Sequence, residues 1–133
     1  MKIYLLLLSL LATTGANAEC WIVDNMKGYS AFSQDGYKFE ENSIDDGKIS
    51  LDIKNKNITV KQIGNSSFGE GITYTPVNDN AFSGHSSSLG MTIIENWVIT
   101  KENKVLFNRS VLDTDNPGMT STTALVGDII GKC

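Results

Sequence analysis

The chain has one histidine, two cysteines and two prolines in 133 residues, and its eleven Lys and Arg cluster nowhere. Each shortage excludes something. One histidine cannot furnish a His-rich metal site, and two cysteines cannot furnish a four-cysteine zinc site. Scattered basic residues in a chain of net charge −4 exclude a binder of nucleic-acid backbones. Long apolar runs are missing too. The longest, Ile3–Ala12, falls well short of the ~20 residues that span a bilayer. The length allows one domain and no second core beside it.

That early run has the form of a leader. Lys2 precedes it, and Ala16-Asn17-Ala18 follows as a small-residue cleavage motif. The pattern predicts a signal peptide over 1–18, cut after Ala18, and a single domain over 19–133. Cys20 lies two positions past the cut with no lipobox before it, so the expectation is soluble export to the periplasm or beyond, without membrane insertion. Cleavage would leave 115 residues with net charge −5. Asn57-Ile58-Thr59, Asn65-Ser66-Ser67 and Asn108-Arg109-Ser110 match the glycosylation sequon, a match that arises readily by chance in an Asn-rich chain.

Cys20 and Cys133 then stand at the two ends of the exported chain. In an oxidising compartment such a pair reads as one disulfide. Closing a loop of 113 steps is worth roughly 4–5 kcal/mol in the chain-entropy model. The bridge also carries topology, because bridged Cα atoms lie within about 7 Å and the first and last strands must be neighbours. A redox pair would show the C-x-x-C spacing that is absent here.

The body of the chain alternates with period two. Ile49, Leu51 and Ile53 interleave with Ser50, Asp52 and Lys54, and Ile58, Val60 and Gln62 follow the Asn55-Lys56 turn. Asp35-Gly36 predicts a type I′ hairpin that sets Phe32 opposite Phe39, and Asp46-Gly47 predicts a further turn. Met91–Thr100 and Lys104–Leu112 form the longest predicted hairpin. Trp21–Val23 opens the set and Thr122–Ile130 closes it, with Ser66–Gly71 and Gly84–Gly90 read as loops. No segment after the leader holds helical apolar spacing for three turns. The fold expected is all-β, about eight to ten short strands closed into a small antiparallel barrel, with a β-sandwich as the alternative.

Catalytic constellations are weak. His85 is followed by Ser86, Ser87 and Ser88, yet Ser88 occupies the place where a G-x-S-x-G elbow needs glycine. The segment instead predicts a polar loop that offers hydroxyls and an imidazole to a partner's cleft. Asp113-Thr114-Asp115-Asn116-Pro117-Gly118 resembles a calcium loop, but Pro117 takes a ligand position and Ala124 stands in place of the bidentate Glu, so turn chemistry explains it. Glu40/Glu41 and Asp45/Asp46 fall in wet segments, where neither carboxyl would be held protonated as glycoside chemistry requires. Glu95 and Arg109 differ: each interrupts an apolar face of the long hairpin. They are expected to meet across it, as a buried ion pair or as a ligand-binding pair.

No metal, cofactor or catalytic residue is expected, and no enzyme activity. The reading that follows is an exported, non-catalytic binding protein of inhibitor or immunity type that occludes a partner enzyme or toxin. The acidic charge would steer a basic partner, such as a cell-wall enzyme. The alternative is a lipocalin-like carrier with Glu95 or Arg109 lining its lumen.

Overall fold

The computed structural model describes residues 19–133 apart from 46, 55 and 65–67. The predicted leader and its motif at Ala16–Ala18 lie outside the described residues, as do Asp46, Asn55 and the Asn65-Ser66-Ser67 sequon.

Among the described residues nine strands follow one another: β1 (Glu19–Phe32), β2 (Phe39–Ile44), β3 (Ile49–Lys54), β4 (Asn57–Gln62), β5 (Thr73–Asn78), β6 (Ala81–Ser88), β7 (Met91–Ile99), β8 (Lys104–Asp113) and β9 (Ser121–Lys132). Eight run in the order β4-β3-β1-β9-β8-β7-β6-β5, and β2 pairs with β1 alone. All pairings are antiparallel. β4 and β5 approach without pairing, so the sheet curls into a barrel that is closed except along one seam. Closure satisfies backbone groups that would otherwise form open edges, and Pro76 on β5 removes one donor from the edge that remains.

β1 is the organising strand. Its first half pairs with β3, its second half pairs with β2, and β9 runs along its other side. A bulge between Asp24 and Lys27, with Asn25 at φ 55°, bends it through the change of partner. The strand opened by Trp21–Val23 therefore runs on as one element of 14 residues to Phe32. The Cys20–Cys133 disulfide joins β1 to the chain end beyond β9, with Cα atoms 5.2 Å apart.

Two expectations of detail are corrected. Asp35-Gly36 does not make a two-residue hairpin. A 3-10 turn over Ser33–Asp35 intervenes, the Tyr37 amide donates to the Phe32 carbonyl, and Phe39 pairs with Ala31 rather than Phe32. Gly84–Ser88 is not a loop. It is the second half of β6: Gly84 and His85 pair with both β5 and β7, Ser86–Ser88 pair with β7, and the turn is confined to Leu89-Gly90. Low intrinsic strand preference there is overridden by ladders to β5 and β7.

Inside, side chains stack in rows that follow the ladders. Phe82, Trp97, Phe107 and Leu125 are successive cross-strand partners on β6 to β9, and all are buried. Val23, Ile49, Leu51 and Val105 pack toward the end that carries the disulfide. Ring centroids of Tyr74, Phe82, Trp97 and Phe107 succeed one another at 5.6, 5.9 and 4.6 Å, so aromatic rings fill the interior across these strands.

Candidate functional site: a polar inner row and an uncharged outer wall

One row further from the disulfide, the interior changes character. Gly84, Glu95, Arg109, Thr123 and Ser30 are direct partners across β6, β7, β8, β9 and β1, and Tyr74 on β5 faces Gly84. Glu95 is fully buried. Its Oε1 accepts from the Tyr74 hydroxyl at 2.7 Å and from the Trp97 indole at 3.1 Å. Its Oε2 accepts from Arg109 Nε at 2.7 Å and lies 2.5 Å from Nη2. Four donors on one carboxylate offset the cost of burying its charge.

The neighbours of that carboxylate are placed by fit. Gly84 leaves the space that Tyr74 occupies: a Cβ there would stand 2.4 Å from its ring. Burial, and then the charge of Glu95 beside it, push the Tyr74 phenol well above its usual pKa of 10.0. The Arg109 guanidinium carbon sits 5.4 Å from the ring centroids of both Phe68 and Phe107, a double cation–π contact that fixes its plane. The row continues where Ser30 and Thr123 share a hydroxyl hydrogen bond of 2.7 Å and Asn42 of β2 donates to Ser30 at 2.8 Å.

Glu95 and Arg109 thus face each other across one hairpin, inside the barrel. The four residues from His85 to Ser88 are divided by alternation: His85 and Ser87 lie on the outside, Ser86 and Ser88 on the other face of the strand. They share no protruding surface. Asp113 Oδ1 accepts from the amides of Asp115 and Asn116 at 3.2 and 2.9 Å, which is turn chemistry. Among the described residues no group of His, Cys, Asp and Glu is arranged to hold a metal. Nothing in the sequence places Tyr74, Ser30, Thr123 and Asn42 beside the pair, because only the strand register brings them there.

The outer face of the same strands has its own pattern. Ala81, Val98, Leu106 and Val126 form one row of partners from β6 to β9. Ser83, Asn96, Asn108 and Ala124 form the next. His85, Ile94, Ser110 and Thr122 form a third, with Ser87, Thr92 and Leu112 beyond it. None of these fifteen outward positions is Asp, Glu, Lys or Arg. At the usual surface density of about a quarter to a third charged residues, four or five would be expected. The patch ends at an ion pair between Lys104 and Asp128. Ile94, Leu112 and Val126 on it are about half exposed.

No family model, curated protein or solved structure matches this chain.

The wall and the row are two sides of one four-stranded segment. Residues 95 and 109 hold its inner face together through charge, while the positions between and around them present amides, hydroxyls and branched apolar groups to the outside. Such a face can form a dry contact without desolvating an ion, and desolvated charge is what interface centres avoid.

Proposed function

We propose that this chain is an exported, non-catalytic binding protein that presses the outer wall of β6–β9 against a partner enzyme or toxin and occludes it. The observation that carries this reading is the absence of charge from fifteen contiguous outward positions in a chain that is 20% charged. Binding-interface centres are depleted of charged residues, and apolar groups such as Ile94, Leu106 and Val126 gain there from burial. His85 and Ser87 belong to this wall as hydrogen-bonding members of a flat face rather than as the tip of a plug. The chain's net charge of −4 would supply long-range attraction of a basic partner, which is compatible with close contact through a neutral centre. Aromatic rings fill the interior across β5–β8, so a lipocalin-like carrier would have to hold its cargo at the barrel mouth rather than in a deep lumen.

The test is site-specific photocrosslinking in the cells that make the protein. A photoreactive residue at Asn96 or Asn108 should give one dominant adduct, identifiable by mass spectrometry, whose activity falls when the purified chain is added. The same group at Thr59 or Lys61, on the opposite wall, should give none. Adducts from both walls alike, or none from β6–β9, would overturn the reading.

A further inference from the structure

Beyond the polar row, away from the disulfide, the barrel mouth holds a recess of about 380 Å³, within the ~300–1,000 Å³ range of small-molecule pockets. Phe32, Ile44, Ile93 and Val111 supply apolar wall, Met119 of the turn before β9 stands at it, and Arg109 belongs to its lining. Arg109 is the polar feature that matters. Nε and Nη2 face Glu95, and the Phe68 and Phe107 rings flank the guanidinium, so a group that lines the recess is already fixed in orientation. A donor that need not be ordered on binding is worth more to a ligand than a mobile one.

The charge balance selects the ligand. Glu95 neutralises Arg109, and Asp113 also lines the recess, leaving one net negative charge around it. A carboxylate or sulfonate ligand would meet that negative charge, while its partner cation is already paired. We infer that this recess binds one small, uncharged amphipathic molecule, a planar or branched apolar body with a carbonyl or hydroxyl oxygen that accepts from Arg109. This site is separate from the outer wall of β6–β9, and its test does not depend on any protein partner.

The two tryptophans provide the readout. The Trp97 indole N–H bonds to Glu95 beneath the recess, whereas Trp21 lines a different cleft of about 820 Å³ at the end of the barrel that carries the disulfide. The probe is prodan, a neutral naphthalene bearing a propionyl carbonyl, followed by its fluorescence and by the two indole N–H signals in proton NMR. Expected are saturable binding of one probe per chain with a blue shift, movement of the Trp97 signal, and a still Trp21 signal. Anilinonaphthalene sulfonate, with the same ring system and a negative charge, should bind at least tenfold more weakly. Val111→Trp, which fills the recess, and the paired change Glu95→Met with Arg109→Met should each weaken prodan at least tenfold. Absence of saturable binding, movement of Trp21 instead of Trp97, or equal affinity for the sulfonate would overturn the assignment. These three outcomes are read on the unaltered protein, so they hold whether or not the variants fold.

Discussion

Two walls of this barrel obey the same alternation and present different surfaces. On β3 and β4 the outward positions are Ser50, Asp52, Lys54, Asn57, Thr59 and Lys61, half of them charged. On β6–β9, fifteen outward positions carry no charge, and charge returns only at the edge, where Lys104 pairs with Asp128. Inside, the contrast is reversed. Ile49, Leu51 and Val60 line the first wall, while the second carries Glu95 and Arg109 among its aromatic rings. Strand geometry demands only that apolar groups face in and tolerates charge outside, as the β3–β4 wall shows. The uncharged exterior and the charged interior of β6–β9 are therefore additions to the fold, and additions of that kind point to function or to specificity.

The largest effect expected is on that inner pair. Glu95→Ala leaves the Arg109 guanidinium without its carboxylate and should cost about 3–5 kcal/mol in urea unfolding, as broken buried pairs do. Replacing both partners, Glu95→Leu with Arg109→Leu, should return stability to within about 1 kcal/mol of the parent. A double variant as unstable as the single would show that the pair does more for the fold than match charge.

A charge placed on the outer wall should separate binding from stability. Asn108→Lys is expected to leave the unfolding midpoint within about 0.5 kcal/mol, as surface changes usually do. It should weaken the crosslinked partner roughly a hundredfold by calorimetry, the range of an unpaired charge driven into an interface. Lys61→Glu on the β3–β4 wall should leave that affinity unchanged.

Smaller effects follow. Tyr74→Phe removes one of the four donors to Glu95 and should cost about 1 kcal/mol at pH 7. It should also flatten the loss of stability at high pH. The raised phenol pKa means that the unfolded chain releases this proton above about pH 10 while the folded chain retains it, so stability falls as pH climbs past that value. Urea midpoints at pH 9 and pH 11 for both proteins read the difference in slope. Least of all, Lys104→Ala breaks a solvent-exposed pair with Asp128 and should leave the urea midpoint nearly unchanged.

Much of this molecule can be read from its sequence where alternation is clean and turns are short. The β7–β8 hairpin, the closing strand and the terminal disulfide belong to that class, and the bridge forces β1 and β9 together. Segments whose structure is imposed by neighbours are harder. Gly84-His85-Ser86-Ser87-Ser88 has the composition of a loop, yet all five residues are laddered to β7 and the first two also to β5, and its glycine is needed because the Tyr74 ring lies against it. The Phe32 and Phe39 pairing fails because the 3-10 turn at Ser33–Asp35 shifts the register by one residue. Glu95 and Arg109 are conspicuous in sequence as polar breaks in apolar faces. Tyr74, Ser30, Asn42 and Thr123 have no such signal, since each is an ordinary polar residue until strands far apart in sequence are set side by side.

The central claim is that the uncharged wall is where the partner sits. Hydroxyl-radical footprinting of the chain, alone and in complex with the crosslinked partner, tests it most directly, because exposed apolar side chains on both surfaces report at once. The account predicts that Ile94, Leu106 and Leu112 lose reactivity in the complex while Tyr37, Phe39 and Ile63, all exposed elsewhere, keep theirs. Protection of Tyr37, Phe39 and Ile63 with Ile94, Leu106 and Leu112 unchanged would contradict it.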